Sequence, residues 1–143
     1  MSAEWAAQTC EAWNKDTTLT SGLAGKWIKN DHGHGDKVIQ MYRTDCENSP
    51  PVEMRIADKG DKAMCIYGGK LETAKLDSSV DYLMHATTVR WKEMGAGKYG
   101  LMMAMLFGRL EFSGPKMEAL MGPFGSFLKL VGKVPSDTAI CPK

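Results

Sequence analysis

A chain of 143 residues has the length of one domain with room for a real core. Its 18 basic and 17 acidic residues leave a formal charge of +1, which offers no electrostatic case for nucleic acid. Hydrophobic content of 43% with a mean hydropathy of −0.29 fits a soluble globular protein, and no basic amphipathic helix stands ready for stable membrane anchoring.

Residues 3–14 read as a helix capped by Ser2, with Glu4 in the first turn and Trp5, Thr9, Ala12 and Trp13 on one face. The opening residues show no basic region followed by an apolar one, so no signal peptide is expected. Residues 16–27 form at best a poor second helix, because Gly22 and Gly25 each cost about 1 kcal/mol against alanine. The segment 30–36 holds His32 and His34 between Asp31 and Asp36. Imidazole and carboxylate are metal ligands, yet the spacing matches no helix-borne histidine pair and no defined loop cage. It reads as an exposed polar linker, with no metal expected.

Three strand-like runs follow at 37–44, 52–57 and 62–68, separated by turns at 49–51 and 58–61. Such short connections imply an antiparallel meander. Val52, Met54 and Ile56 should face helices, and the charged face carrying Glu53 should stay in water. Residues 80–86 read as a fourth strand with Val80, Tyr82 and Met84 on one side; His85 there should be packed and hydrogen-bonded. A helix capped by Thr87 or Thr88 runs to about Met94. The segment Gly95-Ala96-Gly97-Lys98 ends it and lacks the spacing of a phosphate loop.

The chain then enters 99–107, which carries no charge. A helix apolar all round is expected to be buried, and this one is too short to span a bilayer. Gly108 stops it, residues 109–113 alternate as a half-buried strand, and Gly114-Pro115 leads into a last helix. That helix places Met117, Leu120, Met121, Phe124, Leu128 and Val131 along one stripe. Residues 135–143 are expected to form an extended arm.

The run Gly108-Arg109-Leu110-Glu111-Phe112-Ser113-Gly114, preceded by a helix rich in methionine and alanine, resembles the signature of the sterol carrier protein 2 family. Met102, Ala104 and Ala119 fall where that family often has the same residues. The resemblance is sharpest over 80–120 and extends through the order of elements. Departures are Pro115 in place of Asp or Asn, Phe107 where a polar residue is usual, and Gly122, Pro123 and Gly125, which should kink or break the last helix. The resemblance implies an α+β fold: a five-stranded, mainly antiparallel sheet covered on one face by helices, enclosing an apolar tunnel. It implies non-enzymatic binding and carriage of a sterol, fatty acid or fatty acyl-CoA by a single lipid-binding domain over 1–143. Spacing and resemblance together put Trp91, Met94, Met102, Met103, Leu106, Phe112, Met117, Leu120, Met121 and Phe124 on the tunnel wall. Transient membrane contact and a partner enzyme are compatible with such a carrier.

Eleven methionines, five of them from Met94 to Met117, supply adaptable apolar surface that serves either a plain core or a ligand. No catalytic constellation is found, and no cofactor is expected: the G-x-S-x-G, H-E-x-x-H and dinucleotide patterns are all absent. Two alternatives stay open. One is an accessory module presenting a lipid or quinone intermediate to a partner enzyme. The other is a small ketosteroid isomerase-like enzyme using Tyr42, Tyr82 and Asp81. Cys10, Cys46, Cys65 and Cys141 form no C-x-x-C pair, and read as free thiols of a cytoplasmic protein; a Cys46–Cys141 bridge is the weaker option.

Overall fold

The computed structural model describes residues 1–46 and 50–134. The expected extended arm and Ser49 of the first turn lie outside the described residues. Five strands, β1 (Asp36–Arg43), β2 (Val52–Asp58), β3 (Ala63–Lys70), β4 (Tyr82–Ala86) and β5 (Glu111–Ser113), form one sheet in the order β3-β2-β1-β4-β5. β1, β2 and β3 make the antiparallel meander, β5 runs antiparallel to β4, and β4 runs parallel to β1. That parallel step needs a long crossover, and residues 71–81 supply it. The helices are α1 (Ala3–Asn14), α2 (Thr17–Gly22), α3 (Lys26–Lys29), α4 (Thr88–Gly95), α5 (Leu101–Leu106), α6 (Lys116–Leu120) and α7 (Ser126–Lys133). The last helix of the sequence is broken as its glycines and proline foretold, with a 3₁₀ turn at Pro123–Gly125 between α6 and α7. The result is the expected α+β fold with a five-stranded, mainly antiparallel sheet.

Alternation along the strands decides what the helices cover. Ile39, Met41, Val52, Met54, Ile56, Tyr82 and Met84 are all essentially buried and belong to the core, with Phe112 beside them. Helix α1 lies on β3, where Trp13 Nε1 donates to the Ala63 carbonyl at 2.9 Å. Asn14 acts as a surrogate strand there: its Nδ2 donates to the Cys65 carbonyl and its Oδ1 accepts from the Cys65 amide. Gly68 permits this approach, since a Cβ there would sit 2.3 Å from the Ala6 carbonyl oxygen. Helices α4 and α7 cross with equal closeness at Gly95 and Gly132, where a Cβ on either would lie about as near the other's Cα as a bonded neighbour but one, at 2.6 and 2.5 Å.

Several expectations are corrected. Cys10 and Cys65 are not free thiols: they form a disulfide that ties α1 to β3 across 55 residues of sequence. Cys46 is not free either, and Cys141 lies outside the described residues. The spacing rule failed because the bridge joins residues that meet only when the helix docks on the sheet. Next, the apolar stretch around α5 is not buried all round. Leu101 and Ala104 face inward, whereas Met102, Met103, Leu106 and Phe107 are exposed. A short helix at the edge of the helical layer touches the core with one face only.

Finally, the charged face of β2 is not left in water. Glu53 is fully buried, because the crossover 71–81 folds over it. Its carboxylate accepts hydrogen bonds from Gln40 Nε2 (2.9 Å), the Thr73 amide (2.9 Å), Thr73 Oγ1 (3.0 Å) and Arg55 Nε (3.0 Å). His85 also departs in detail. It stacks on Tyr42 with ring centroids 4.6 Å apart, and its Nδ1 is buried with no hydrogen-bond partner among the described residues.

Replacing Cys10 and Cys65 together by alanine is expected to lower stability by roughly 2–5 kcal/mol, read from urea unfolding of the oxidised parent and the variant. Burial pushes the Glu53 carboxyl up, but the bonds from Thr73, Gln40 and Arg55 outweigh it and hold it below the usual range. A carboxyl depressed in the folded state stabilises fully above its unfolded pKa, and that contribution fades as pH falls through the folded value. Unfolding midpoints measured from pH 7 down to about pH 3 should therefore drop with acid, and Glu53→Gln should flatten part of that slope while lowering stability at neutral pH.

Candidate functional site

Lys37, the second residue of β1, shares the alternation of Ile39 and Met41, so its side chain enters the helical side of the sheet. The lysine is 1% exposed, and a lone ammonium cannot stay charged in such a place without partners. Its Nζ donates to Glu118 Oε1 at 2.6 Å and to the Asn30 carbonyl at 2.8 Å. It also lies 5.0 Å from the Trp27 ring and 5.4 Å from that of Tyr82, within cation–π range. Tyr82 Oη donates to Glu118 Oε1 at 2.8 Å and accepts from Trp27 Nε1 at 2.7 Å. Asn30 Nδ2 donates to Glu118 Oε2. One carboxylate from α6 thus gathers groups from α3, the loop after it, β1 and β4.

The electrostatics follow from burial. Removal from water pushes the Lys37 ammonium below its ordinary range, and Glu118 opposes that shift. Burial, with the Glu118 charge second, drives the Tyr82 phenol far above its ordinary range, so it stays a proton donor.

Beneath this network the rings of Trp13, Trp27, Tyr82, Phe112, Phe124 and Phe127 form a chain of contacts. Trp27 stacks on Phe124 at 5.7 Å, Tyr82 meets Phe124 edge-on at 4.7 Å and Phe112 at 5.2 Å, and Trp13 meets Phe127 at 5.5 Å. Above it opens a cleft of about 550 Å³ between α2–α3 on one side and α6 with its following turn on the other. Leu23, Trp27, Met121 and Pro123 provide its apolar lining, and Lys26 and Glu118 its charged groups. Trp27 and Glu118 belong to both cleft and network. A cleft of this volume with few polar groups has the form of a small-molecule site.

The sequence-predicted wall residues do not form one surface here. Met121 lines the cleft, and Phe124 lies directly behind its Trp27 wall. Phe112 is buried against Tyr82, and Leu120 is partly buried against the core. Trp91 and Met94 are fully buried on α4, where Trp91 Nε1 donates to the Tyr42 carbonyl at 3.1 Å. Met102, Met103 and Leu106 on α5 and Met117 on α6 point to solvent. Sequence reasoning missed Lys37, Glu118 and Asn30. The only signal was the lysine's place in the Ile39–Met41 alternation; Glu118 sits on the polar flank of its helix and gave none.

The candidates for acid–base chemistry do not converge. Tyr82 faces the helices, whereas Tyr42 stacks on His85 on the opposite face of the sheet. Asp81 spends its two oxygens on the amides of Val38 (2.9 Å) and Asp77 (2.8 Å), which pins the crossover to β1.

Glu118→Ala should cost about 3–5 kcal/mol in urea unfolding, because it strands a buried ammonium, while a Lys37→Met, Glu118→Leu double variant should recover most of the loss.

No protein-family model matches this sequence, and no curated protein matches it. The fold does match solved structures. Sterol carrier protein 2 superposes with a TM-score of 0.62 at 15% identity, covering 94% of this chain and 98% of that one. A conserved hypothetical protein of Thermus thermophilus, named in its description as a candidate sterol carrier protein, superposes with a TM-score of 0.56 at 17% identity, covering 93% of this chain and 87% of that one. The resemblance read from residues 108–114 therefore holds at the level of three-dimensional structure, and the chain has the sterol carrier protein 2 fold.

Proposed function

We propose that this protein is a non-enzymatic binder and carrier of an apolar lipid: a sterol, a fatty acid or a fatty acyl-CoA. The observation that carries the reading is the exposure of large apolar side chains on α5, on α6 and just after it: Met121 is 79% exposed, Leu106 71%, Met117 69% and Met102 62%. Single exposed apolar residues are ordinary, but several on neighbouring short elements call for something to cover them. The cleft over Trp27 receives the ligand, and the methionines of α5 and α6 close over its hydrocarbon. Thioether side chains adapt to varied shapes, and each methylene removed from water contributes roughly 0.8 kcal/mol, so binding is tight without being selective.

The divergence of Tyr42, Tyr82 and Asp81 supports carriage over catalysis. The same exposed side chains support transient contact with a membrane during loading. Among the described residues no helix is long and apolar enough to cross one. The Cys10–Cys65 disulfide removes the support that free thiols would have given to a cytoplasmic setting, and favours an oxidising compartment.

Native mass spectrometry of the purified protein, followed by solvent extraction, tests the proposal. A bound lipid of defined mass, or uptake of oleoyl-CoA or cholesterol when offered, is the expected result; a clean apo mass with no uptake of either would dismiss it. Burying a carboxylate against hydrocarbon costs well over the 1.4 kcal/mol that equals a tenfold change, so Met121→Glu and Met103→Glu should each weaken uptake by at least about tenfold. Lys59→Gln, in the exposed turn between β2 and β3, should leave it unchanged.

A further inference from the structure

The His-x-His segment before β1 reads as a linker from sequence because its spacing matches no helix-borne histidine pair and no defined loop cage. The fold supplies a third ligand from the crossover. His32 Nδ1 lies 2.8 Å from Asp77 Oδ2, and His34 Nε2 lies 3.1 Å from the same oxygen. The three ligand atoms all fall within 4.8 Å of one another. We propose that His32, His34 and Asp77 form a binding site for a divalent transition-metal ion of the zinc class.

Several features of the geometry carry this. A tetrahedral zinc holds imidazole nitrogen and carboxylate oxygen about 2.0–2.2 Å away, which sets its ligand atoms about 3.3–3.5 Å from one another. The two histidine–aspartate separations are a few tenths of an ångström shorter, as fits N–H groups donating to one carboxylate oxygen, and the third pair of ligand atoms lies within 4.8 Å. A metal takes the place of those contacts once each coordinating imidazole carries its proton on the other ring nitrogen and the three side chains move slightly apart. The side chains can make that adjustment, since both histidines are exposed.

Their backbone is nonetheless held. Asp31 Oδ1 accepts from the Gly33 amide at 2.9 Å, and the His34 amide donates to the Asp31 carbonyl at 3.0 Å. His32 itself has φ 52°, a left-handed conformation uncommon for a residue with a side chain, and Gly33 and Gly35 continue the turn with φ 76° and 90°. This tight turn brings both imidazoles to the same side. Asp77 is oriented separately: its Oδ1 accepts from the Ser79 amide at 3.0 Å, and its own amide donates to buried Asp81. Oδ2 is thereby turned to the histidines, the kind of outer support that metal ligands commonly have.

Two imidazoles and one carboxylate suit zinc, copper or nickel over magnesium or calcium, which prefer an all-oxygen shell. Three protein ligands leave at least one position for water or an exchangeable anion. His34 and Asp77 also line a cavity of about 550 Å³ together with Asp36, Thr73 and Lys75, which gives such a ligand room. The site lies across the crossover from Glu53 and apart from the apolar cleft, so it stands or falls independently of lipid binding.

Isothermal titration of untagged protein with ZnCl₂ at neutral pH, with MgCl₂ as control, tests the inference. One zinc per chain is expected, with no magnesium binding. His32→Ala, His34→Ala and Asp77→Asn should each weaken zinc binding by at least about tenfold, the lower bound for damage to a metal site. Circular dichroism of the histidine variants, which change only exposed side chains, should match the parent. Absence of saturable zinc binding, or binding that His34→Ala leaves unaltered, would overturn the site.

Discussion

An ammonium buried against two aromatic rings has to be neutralised, and in this protein α3, the loop after it and α6 are arranged around that requirement. Lys37 enters from β1, and Glu118 is the carboxylate that reaches it. Because Glu118 also accepts from Tyr82 and Asn30, the short helix α6 is fixed to the sheet and to the loop after α3 at one point. Little else holds α6: only Ala119 is fully buried on it, and Met117 and Met121 on either side of the ion pair face solvent. Breaking so concentrated a contact is costly, since either partner alone would be a stranded charge. The cleft is therefore bordered by an element whose attachment is electrostatic while its surface is apolar.

This arrangement gives physical meaning to the break in the last helix. A continuous helix from 116 to 133 would carry its apolar stripe into one plane. Gly122 and Pro123 interrupt it, so α7 packs Phe127, Leu128, Leu130 and Val131 into the core while α6 turns Met117 and Met121 outward. Pro123 also abuts α2, where a side chain on Gly22 would lie 2.6 Å from its ring. The break separates a half packed into the core from a half whose apolar side chains stay exposed.

The two faces of the sheet hold different chemistry. The helical face is aromatic and carries the lysine network and the apolar cleft. The opposite face is polar, roofed by residues 71–81, and organised by Glu53 and Asp81, whose carboxylates accept backbone and side-chain protons from that segment. The crossover exists because β4 must return parallel to β1, and its course brings Asp77 to the histidine turn. A topological necessity has thus placed two imidazoles and a carboxylate together on the face away from the apolar cleft.

Local chemistry was enough to fix the elements. Ser2 caps the first helix as expected and Thr87, one of two candidates, caps α4; Gly108 and Gly114 carry positive φ at the ends of the signature segment, and strand-like runs bounded by turn residues located all five strands. Such signals are legible because they depend on neighbours within a few residues. Tertiary structure alone decided the rest. Glu53 is buried because a segment twenty residues downstream folds over it, Cys10 meets Cys65 because α1 docks on β3, and α5 exposes its methionines because it sits at the edge of the helical layer. The candidate wall residues were chosen by composition, which identifies apolar surface without saying which side of a helix turns inward. Lys37 with Glu118, and His32 and His34 with Asp77, are pairings over tens of residues, and only the closed sheet brings them within bonding distance.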